Sequence, residues 1–185
     1  MSETTIGAVC VFCGARDGAR PEYLAAGEQL GAALARAGVD LVFGGGGIGI
    51  MGAASRAARE GGGRVVGVIP QSLLEREGGH RGDPDMHVVE TMHERKALMH
   101  QLSDAFVVLP GGLGTYEEFF EILTWRQLGF HDKPIVVVDT AGYYGPLREI
   151  VSHGAAEGFT GPRDEELFTI VASVEEALAV LGIDA

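Results

Sequence analysis

The sequence predicts a doubly wound α/β domain, and three features carry that prediction. Short apolar runs alternate with helical stretches along the 185 residues. The runs are apolar throughout rather than at every second position, as in strands covered on both faces of a parallel sheet. The residues with chemical character follow the runs, at the strand ends where open α/β sheets bind ligands. The length is that of one domain, residues 1–185, and suffices to bury a core without disulfides or metal.

Taken in order, residues 6–12 are β-rich and end at Gly14. Residues 21–37 have the composition of a helix, with Pro21 admissible in its first turn and Gly38 just past its end. Residues 39–43 form a short apolar strand cut off by four glycines, and 49–60 a helix closed by Gly61, Gly62 and Gly63. A third strand covers 64–69 and stops at Pro70. Residues 71–87 are polar and irregular, a loop long enough to be functional or mobile. Helix resumes over 91–102, strand over 105–109, helix over 115–128 and strand over 135–138. A helix over 143–157, a strand over 168–171 and a helix over 174–181 complete the chain. This alternation, without linker or repeat, reads as a Rossmann-like parallel sheet with helices on both faces.

Composition narrows the function. Apolar residues make up 46%, which argues against disorder, and 29 Gly against 7 Pro suggest tight turns between regular elements. The net charge of −12 disfavours a nucleic-acid or anionic-membrane surface. A bound phosphate must then be held locally, by backbone amides and a few placed arginines. The only lysines are Lys96 and Lys133. No run of 18 apolar residues suggests a membrane span, and the first residues lack the basic and apolar regions of a signal peptide. Cys10 and Cys13 form a C-x-x-C at the first strand rather than at a helix N-terminus, with side chains on opposite faces. Reduced cysteines and a cytoplasmic protein are therefore expected.

Two glycine-rich turns stand out. Residues 44–52 read GGGGIGIMG, a G-x-G-x-x-G from Gly47 to Gly52 between strand and helix. Glycines let the backbone approach an anion, and the helix behind offers free N–H groups and the positive end of its dipole. A tight turn without a ligand would look the same. A dinucleotide needs an acid about 20 residues on, at the next strand end. That end reads Val68-Ile69-Pro70-Gln71, so NAD is discounted. A Walker loop fails because no G-K-[ST] occurs. The second turn, residues 110–118, reads PGGLGTYEE after a buried strand. Gly114 and Thr115 stand where phosphate oxygens would meet N–H groups and a hydroxyl. Glu117 and Glu118 are expected in the first helical turn, where complementing the dipole explains one acid but not two.

Arg95 and Lys96 are neighbours on a helix, so they diverge by about 100°. Either they lie on a solvated face or the arginine is aimed at an acid or a ligand. The six histidines show no metal-ligand spacing and the serines no nucleophile elbow, so neither a metal nor serine-hydrolase chemistry is expected.

These motifs together resemble the LONELY GUY (LOG) family, the cytokinin riboside 5′-monophosphate phosphoribohydrolases. The resemblance rests on the P-G-G-x-G-T-x-x-E of residues 110–118, the Arg95-Lys96 pair, the first glycine-rich turn and the stretch 124–134, TWRQLGFHDKP, and spans about residues 6–182. It implies hydrolysis of the N-glycosidic bond of an N6-modified adenosine monophosphate, or of AMP, with no cofactor. It implies Arg95 and Glu118 as the catalytic pair. Gly45, Gly46, Gly49, Gly112, Gly114 and Thr115 would hold the 5′-phosphate, and Met92, Lys96 and Glu117 would contribute to substrate binding. Arg76, in the long loop, would reach the nucleotide. The proton for the leaving base is open between bound water and Asp104. The segment around Trp125 implies a homodimer. Ala15 stands where relatives often carry Ser, and Gln71 where plant relatives often carry Lys, which bears on fine specificity. Two other functions remain to be distinguished. One is a non-catalytic nucleotide-binding or carrier module on the same fold. The other is a lysine decarboxylase, which would need a Schiff-base lysine that only Lys96 or Lys133 could supply.

Overall fold

A computed structural model describes residues 5–74, 85–161 and 164–184. Its centre is a seven-stranded sheet in the order β4-β3-β2-β1-β5-β6-β7, parallel at every pairing. The strands are β1 (Ala8–Phe12), β2 (Asp40–Phe43), β3 (Val65–Pro70), β4 (Met86–Val89), β5 (Ala105–Val108), β6 (Ile135–Val138) and β7 (Thr169–Val171). The helices are α1 (Pro21–Ala37), α2 (Gly49–Glu60), α3 (Gln71–Leu74), α4 (Met92–Gln101), α5 (Leu113–Gln127), α6 (Gly145–Ala156) and α7 (Val174–Leu181). The chain steps outward from β1 to β4 and then returns to place β5 against the other side of β1. The strand order reverses there, so the loops after β1 and β5 lead apart and leave a crevice.

The uniformly apolar strands are explained by burial from both sides. On one face Leu30 of α1, Ile50 of α2 and Leu178 of α7 pack with Val9, Leu41 and Val107. On the other, Met99 of α4, Phe119 of α5 and Leu147 of α6 pack with Cys10, Phe106 and Val137. Cys13 belongs to the first core and Cys10 to the second, and both are free and buried. The expected separation of the C-x-x-C pair across the strand is thus observed. Among the described residues no helix is long and apolar enough to cross a membrane.

Three readings need correction. The stretch taken as an irregular loop contains α3 and the edge strand β4, whose His87 and Val88 are exposed, so it lacks the apolar run that marks the inner strands. The helix expected from residue 143 begins at Gly145, and Tyr143 and Tyr144 precede it. Helix α5 starts at Leu113, which puts Glu117 and Glu118 in its second turn, beyond where they would complement the dipole.

Helices α1 and α2 meet backbone to backbone. A Cβ on Gly31 would overlap the Ala54 carbonyl, and one on Gly27 would lie 2.9 Å from the Ile50 oxygen. This close approach sets α2 against the turn after β1. Gly31→Ala is therefore expected to destabilise the protein by about 1–3 kcal/mol through overpacking. Helix propensity alone would favour alanine by about 1 kcal/mol; denaturant unfolding decides the sign.

At the other end of the sheet, His100 lies between Phe106, Trp125 and His131, with ring centroids 5.8, 5.3 and 4.9 Å away. Its Nε2 is buried without a partner among the described residues. Burial first, then the charge of Lys133 and the neighbouring His131, push its pKa from 6.5 down to about 4. The unfolded chain therefore takes up this proton before the folded one does. Stability should be full above pH 6.5 and fall as the pH drops towards about 4. Unfolding midpoints measured across this range should show that loss, and His100→Phe should reduce it.

Candidate active site

A cavity of about 730 Å³ opens at the carboxyl ends of β1 and β5, within the range of small-ligand sites. Its walls come from the turn after β1 (Cys13 to Arg16, Gly18 and Ala19), the start of α2 (Ile50, Met51), the turn into α5 (Pro110 to Thr115), and Arg95, Glu118 and Tyr143.

Arg95 is only 5% exposed, so it does not lie on a solvated helix face. Its Nε donates to the Val68 carbonyl and its Nη2 to the Gly44 carbonyl, each at 3.2 Å. Nη1 lies 3.8 Å from Glu118 Oε1 and 3.8 Å from Met92 Sδ. The guanidinium thus bridges the turn after β2 and the body of β3 and faces a carboxylate that is itself 8% exposed. Gly44 makes room for it, since a Cβ there would overlap Nη2. Nearby Cys13 has its thiol pKa raised by burial and by the negative charge of Glu118.

Lys96 takes the other direction, as adjacent helical positions require. Its ammonium pairs with Glu117 and, at 2.9 Å, with Glu121. Burial lowers its pKa, but the hydrogen bonds to these carboxylates prevail and the net shift is upward.

The two glycine-rich turns differ in kind. In the first, Gly46 N–H donates to Met51 Sδ at 3.2 Å, and a Cβ on Gly49 would overlap the backbone of Arg16. Gly45, with φ 79 and a Cβ that would lie 2.8 Å from that of Ile69, and Gly49 are required by the fold, and the cavity wall on that side is made by Ile50 and Met51. In the second, a Cβ on Gly112 or Gly114 would meet nothing within 4 Å. Packing gives no reason for glycine there. Helix α5 has no side-chain cap, unlike α4 with Thr91 and α7 with Ser173. The first N–H groups of a helix have no intrahelical acceptor, so at the start of α5 they border the cavity. The Thr115 hydroxyl there has no partner among the described residues. A bare helix N-terminus with no acid in its first turn is suited to an anion.

Of the residues expected at the site, Arg95, Glu118, Gly112, Gly114 and Thr115 meet in this cavity. Gly45, Gly46, Gly49, Met92, Lys96 and Glu117 do not line it, although Met92 touches Arg95 and Gly46 touches Met51. Arg76 lies outside the described residues. Asp104 sits before β5, at the amino ends of the central strands and away from the cavity, where its Oδ2 accepts from Gly7 and Ala8 N–H at 2.9 and 3.0 Å. It is therefore excluded as a proton donor in the cavity. Sequence reasoning missed Gly14, Arg16 and Tyr143. Gly14 works through its backbone, and Tyr143 falls in a stretch that reads as helix.

Fold and site define a doubly wound α/β protein with one crevice that combines an uncapped helix N-terminus, a buried carboxylate and a guanidinium. A family model described as "Possible lysine decarboxylase" matches residues 51–181. Cytokinin riboside 5′-monophosphate phosphoribohydrolase of Rhodococcoides fascians is 47% identical over 174 residues, covering 94% of this chain and 88% of its own. An Arabidopsis thaliana protein of the same name is 40% identical over 181 residues, covering 98% and 84%. This chain belongs to that phosphoribohydrolase family, the LOG family. Among solved structures, the molybdenum cofactor binding protein of Rippkaea orientalis superposes with a TM-score of 0.70 at 21% identity, over 95% of this chain and 94% of its own. The molybdenum cofactor carrier protein of Chlamydomonas reinhardtii gives 0.69 at 23%, over 95% of each. Those two likenesses are of fold alone.

Gly114→Ala separates fold from ligand. Alanine is favoured over glycine in a helix by about 1 kcal/mol, and nothing obstructs its Cβ. The variant should be at least as stable as wild type in thermal unfolding. Calorimetric titration should show AMP bound about tenfold more weakly or worse.

Proposed function

We propose that this protein hydrolyses the N-glycosidic bond of N6-modified adenosine 5′-monophosphates, and of AMP, to the free base and ribose 5-phosphate. Its curated relatives carry the name of that activity over nearly the whole chain. The observation that carries the reading is the pairing of Arg95 with Glu118 in the cavity that also receives the bare start of α5. The 5′-phosphate sits on the N–H groups of Gly112, Leu113, Gly114 and Thr115, beside the Thr115 hydroxyl. Gly45, Gly46 and Gly49 act from behind the wall, setting where α2 and Arg95 stand. Met92 buttresses the guanidinium, and Lys96 and Glu117 steady the α4–α5 contact beside the nucleotide.

Cleavage of an N-glycosidic bond builds positive charge on the sugar. Glu118, beneath the ribose, stabilises that charge and orients the attacking water. Arg95 is a fixed guanidinium cation. It lies 3.8 Å from Glu118 and holds that carboxylate in place but does not supply a proton, and with Asp104 remote the base takes its proton from water. The phosphate contributes binding energy remote from the reacting carbon, which serves to position it.

The decarboxylase reading lacks a lysine in the cavity. Lys96 is paired with two carboxylates, and Lys133 donates to the His100 carbonyl at 2.6 Å. The protein acts as a homodimer in the cytoplasm. Its two buried free cysteines suit a reducing compartment. Leu128 and Phe130, beyond the end of α5, are 63% and 72% exposed and supply an apolar surface for a second copy, whereas Trp125 packs inward on His100.

Glu118→Gln should fold and bind AMP, yet release free base at least about 100-fold more slowly, the usual scale for losing a positioned carboxylate. Chromatographic assay of base released from isopentenyladenosine monophosphate and from AMP checks this. An active Glu118→Gln enzyme refutes the assignment, and wild-type binding without release would instead mark a carrier.

A further inference from the structure

The turn into α5 is held by three donors from outside it. Leu109, Pro110 and Gly111 are consecutive, and each carbonyl accepts a hydrogen bond from a different residue. The Tyr144 hydroxyl donates to Leu109 at 2.7 Å, Gly14 N–H to Pro110 at 3.0 Å, and the Tyr143 hydroxyl to Gly111. Tyr116, on α5 itself, donates its hydroxyl to that of Tyr143 at 3.1 Å.

Both outer tyrosines come from the connection between β6 and α6, where Ala141 has φ 55 and ψ 29. That left-handed conformation is costly for a residue with a Cβ. It is held by Arg20 Nη1, which donates to the Ala141 carbonyl at 3.1 Å, and by Asp139 Oδ1, which accepts from Tyr144 N–H at 2.5 Å. Such a conformation persists where surrounding contacts over-determine it, as these two hydrogen bonds do for the segment that carries both tyrosines.

A trans peptide is planar, so the direction of a carbonyl sets the next N–H in the opposite direction. Tyr144 acts on the bond to Pro110, which has no N–H to aim. Tyr143 acts on the Gly111–Gly112 bond. Gly112 N–H has no acceptor among the described residues, and Gly112 lines the cavity.

We propose that Tyr143 is a positioning residue for the nucleotide's phosphate, its hydroxyl fixing the Gly111–Gly112 peptide plane so that Gly112 N–H faces that phosphate. The inference rests on the reading of the α5 turn as the phosphate site. Tyr143 transfers no proton. Burial first, then Tyr116, raises its pKa to about 12, so it remains a donor at neutral pH.

Tyr143→Phe removes the hydroxyl and keeps the ring, which meets Tyr23 edge-on at 5.7 Å and stacks on Tyr116 at 6.4 Å. Calorimetric titration of wild type and variant with AMP and with adenosine tests the assignment. The Kd for AMP should rise about threefold to tenfold, the scale of one hydrogen bond, while that for adenosine stays unchanged. In base-release assays KM for the monophosphate should rise with kcat within about twofold. Tyr116→Phe should show the same preference for the phosphorylated ligand at smaller size, and it carries the test if Tyr143→Phe does not fold. Unchanged AMP affinity overturns the proposal, and so does an equal loss for adenosine, which would mean a base contact or general damage. Calorimetry needs no turnover. A wild type that binds AMP without releasing base therefore contradicts the hydrolase and not the role of Tyr143, whereas a wild type that binds no AMP contradicts both.

Discussion

Gly14 carries the two hydrogen bonds on which the site depends. Its N–H donates to Pro110 O at 3.0 Å, and its carbonyl accepts from Met51 N–H at 3.1 Å. Pro110 opens the turn into α5, and Met51 lies in the first turn of α2. One residue at the end of the central strand thus joins the starts of two helices that leave the sheet on opposite faces. The strand order makes this necessary. With β5 returning beside β1, the loops would part at the switch point, and only a short main-chain link keeps the crevice narrow enough for both sides to reach one small ligand.

The chain's net charge of −12 would oppose an anionic ligand unless positive charge is concentrated locally. Three sources supply it. The bare start of α5 carries the positive end of a helix dipole. Arg16 is exposed on the rim and lines the cavity. Arg95 lies within, held to the Gly44 and Val68 carbonyls beside Glu118. Lys96, by contrast, is neutralised by Glu117 and Glu121 and serves the packing of α4 on α5. Opposite charges are thus placed at different depths: diffuse positive charge at the mouth of the cavity, and a carboxylate beside a fixed guanidinium within it.

The inner strands and long helices were legible because burial on both faces leaves an unbroken apolar run, and because turns end them. Helices α1, α2 and α7 and strand β6 fall where composition puts them. Strand β4 was hidden because an edge strand with exposed His87 and Val88 has no such run. The start of α5 was placed two residues late because Gly114 is a poor helix former, yet it lies inside the helix. The divergence of Arg95 and Lys96 followed from helical geometry alone. That Arg95 is buried did not, because its partners are the carbonyls of Gly44, just after β2, and Val68, within β3, and sequence carries no mark of which carbonyls are free. Gly14 and Tyr143 were illegible for the same reason, since both act on main-chain groups remote in sequence.

The central claim is that a monophosphate rests on the start of α5 while Glu118 lies beneath the sugar carbon that loses its base. The most direct measurement is a crystal structure of the protein with AMP. The account predicts phosphate oxygens within hydrogen-bond distance of the Gly112 to Thr115 N–H groups, with the Glu118 carboxylate on the ribose face opposite the adenine. A phosphate bound elsewhere, or a ribose turned away from Glu118, would contradict it.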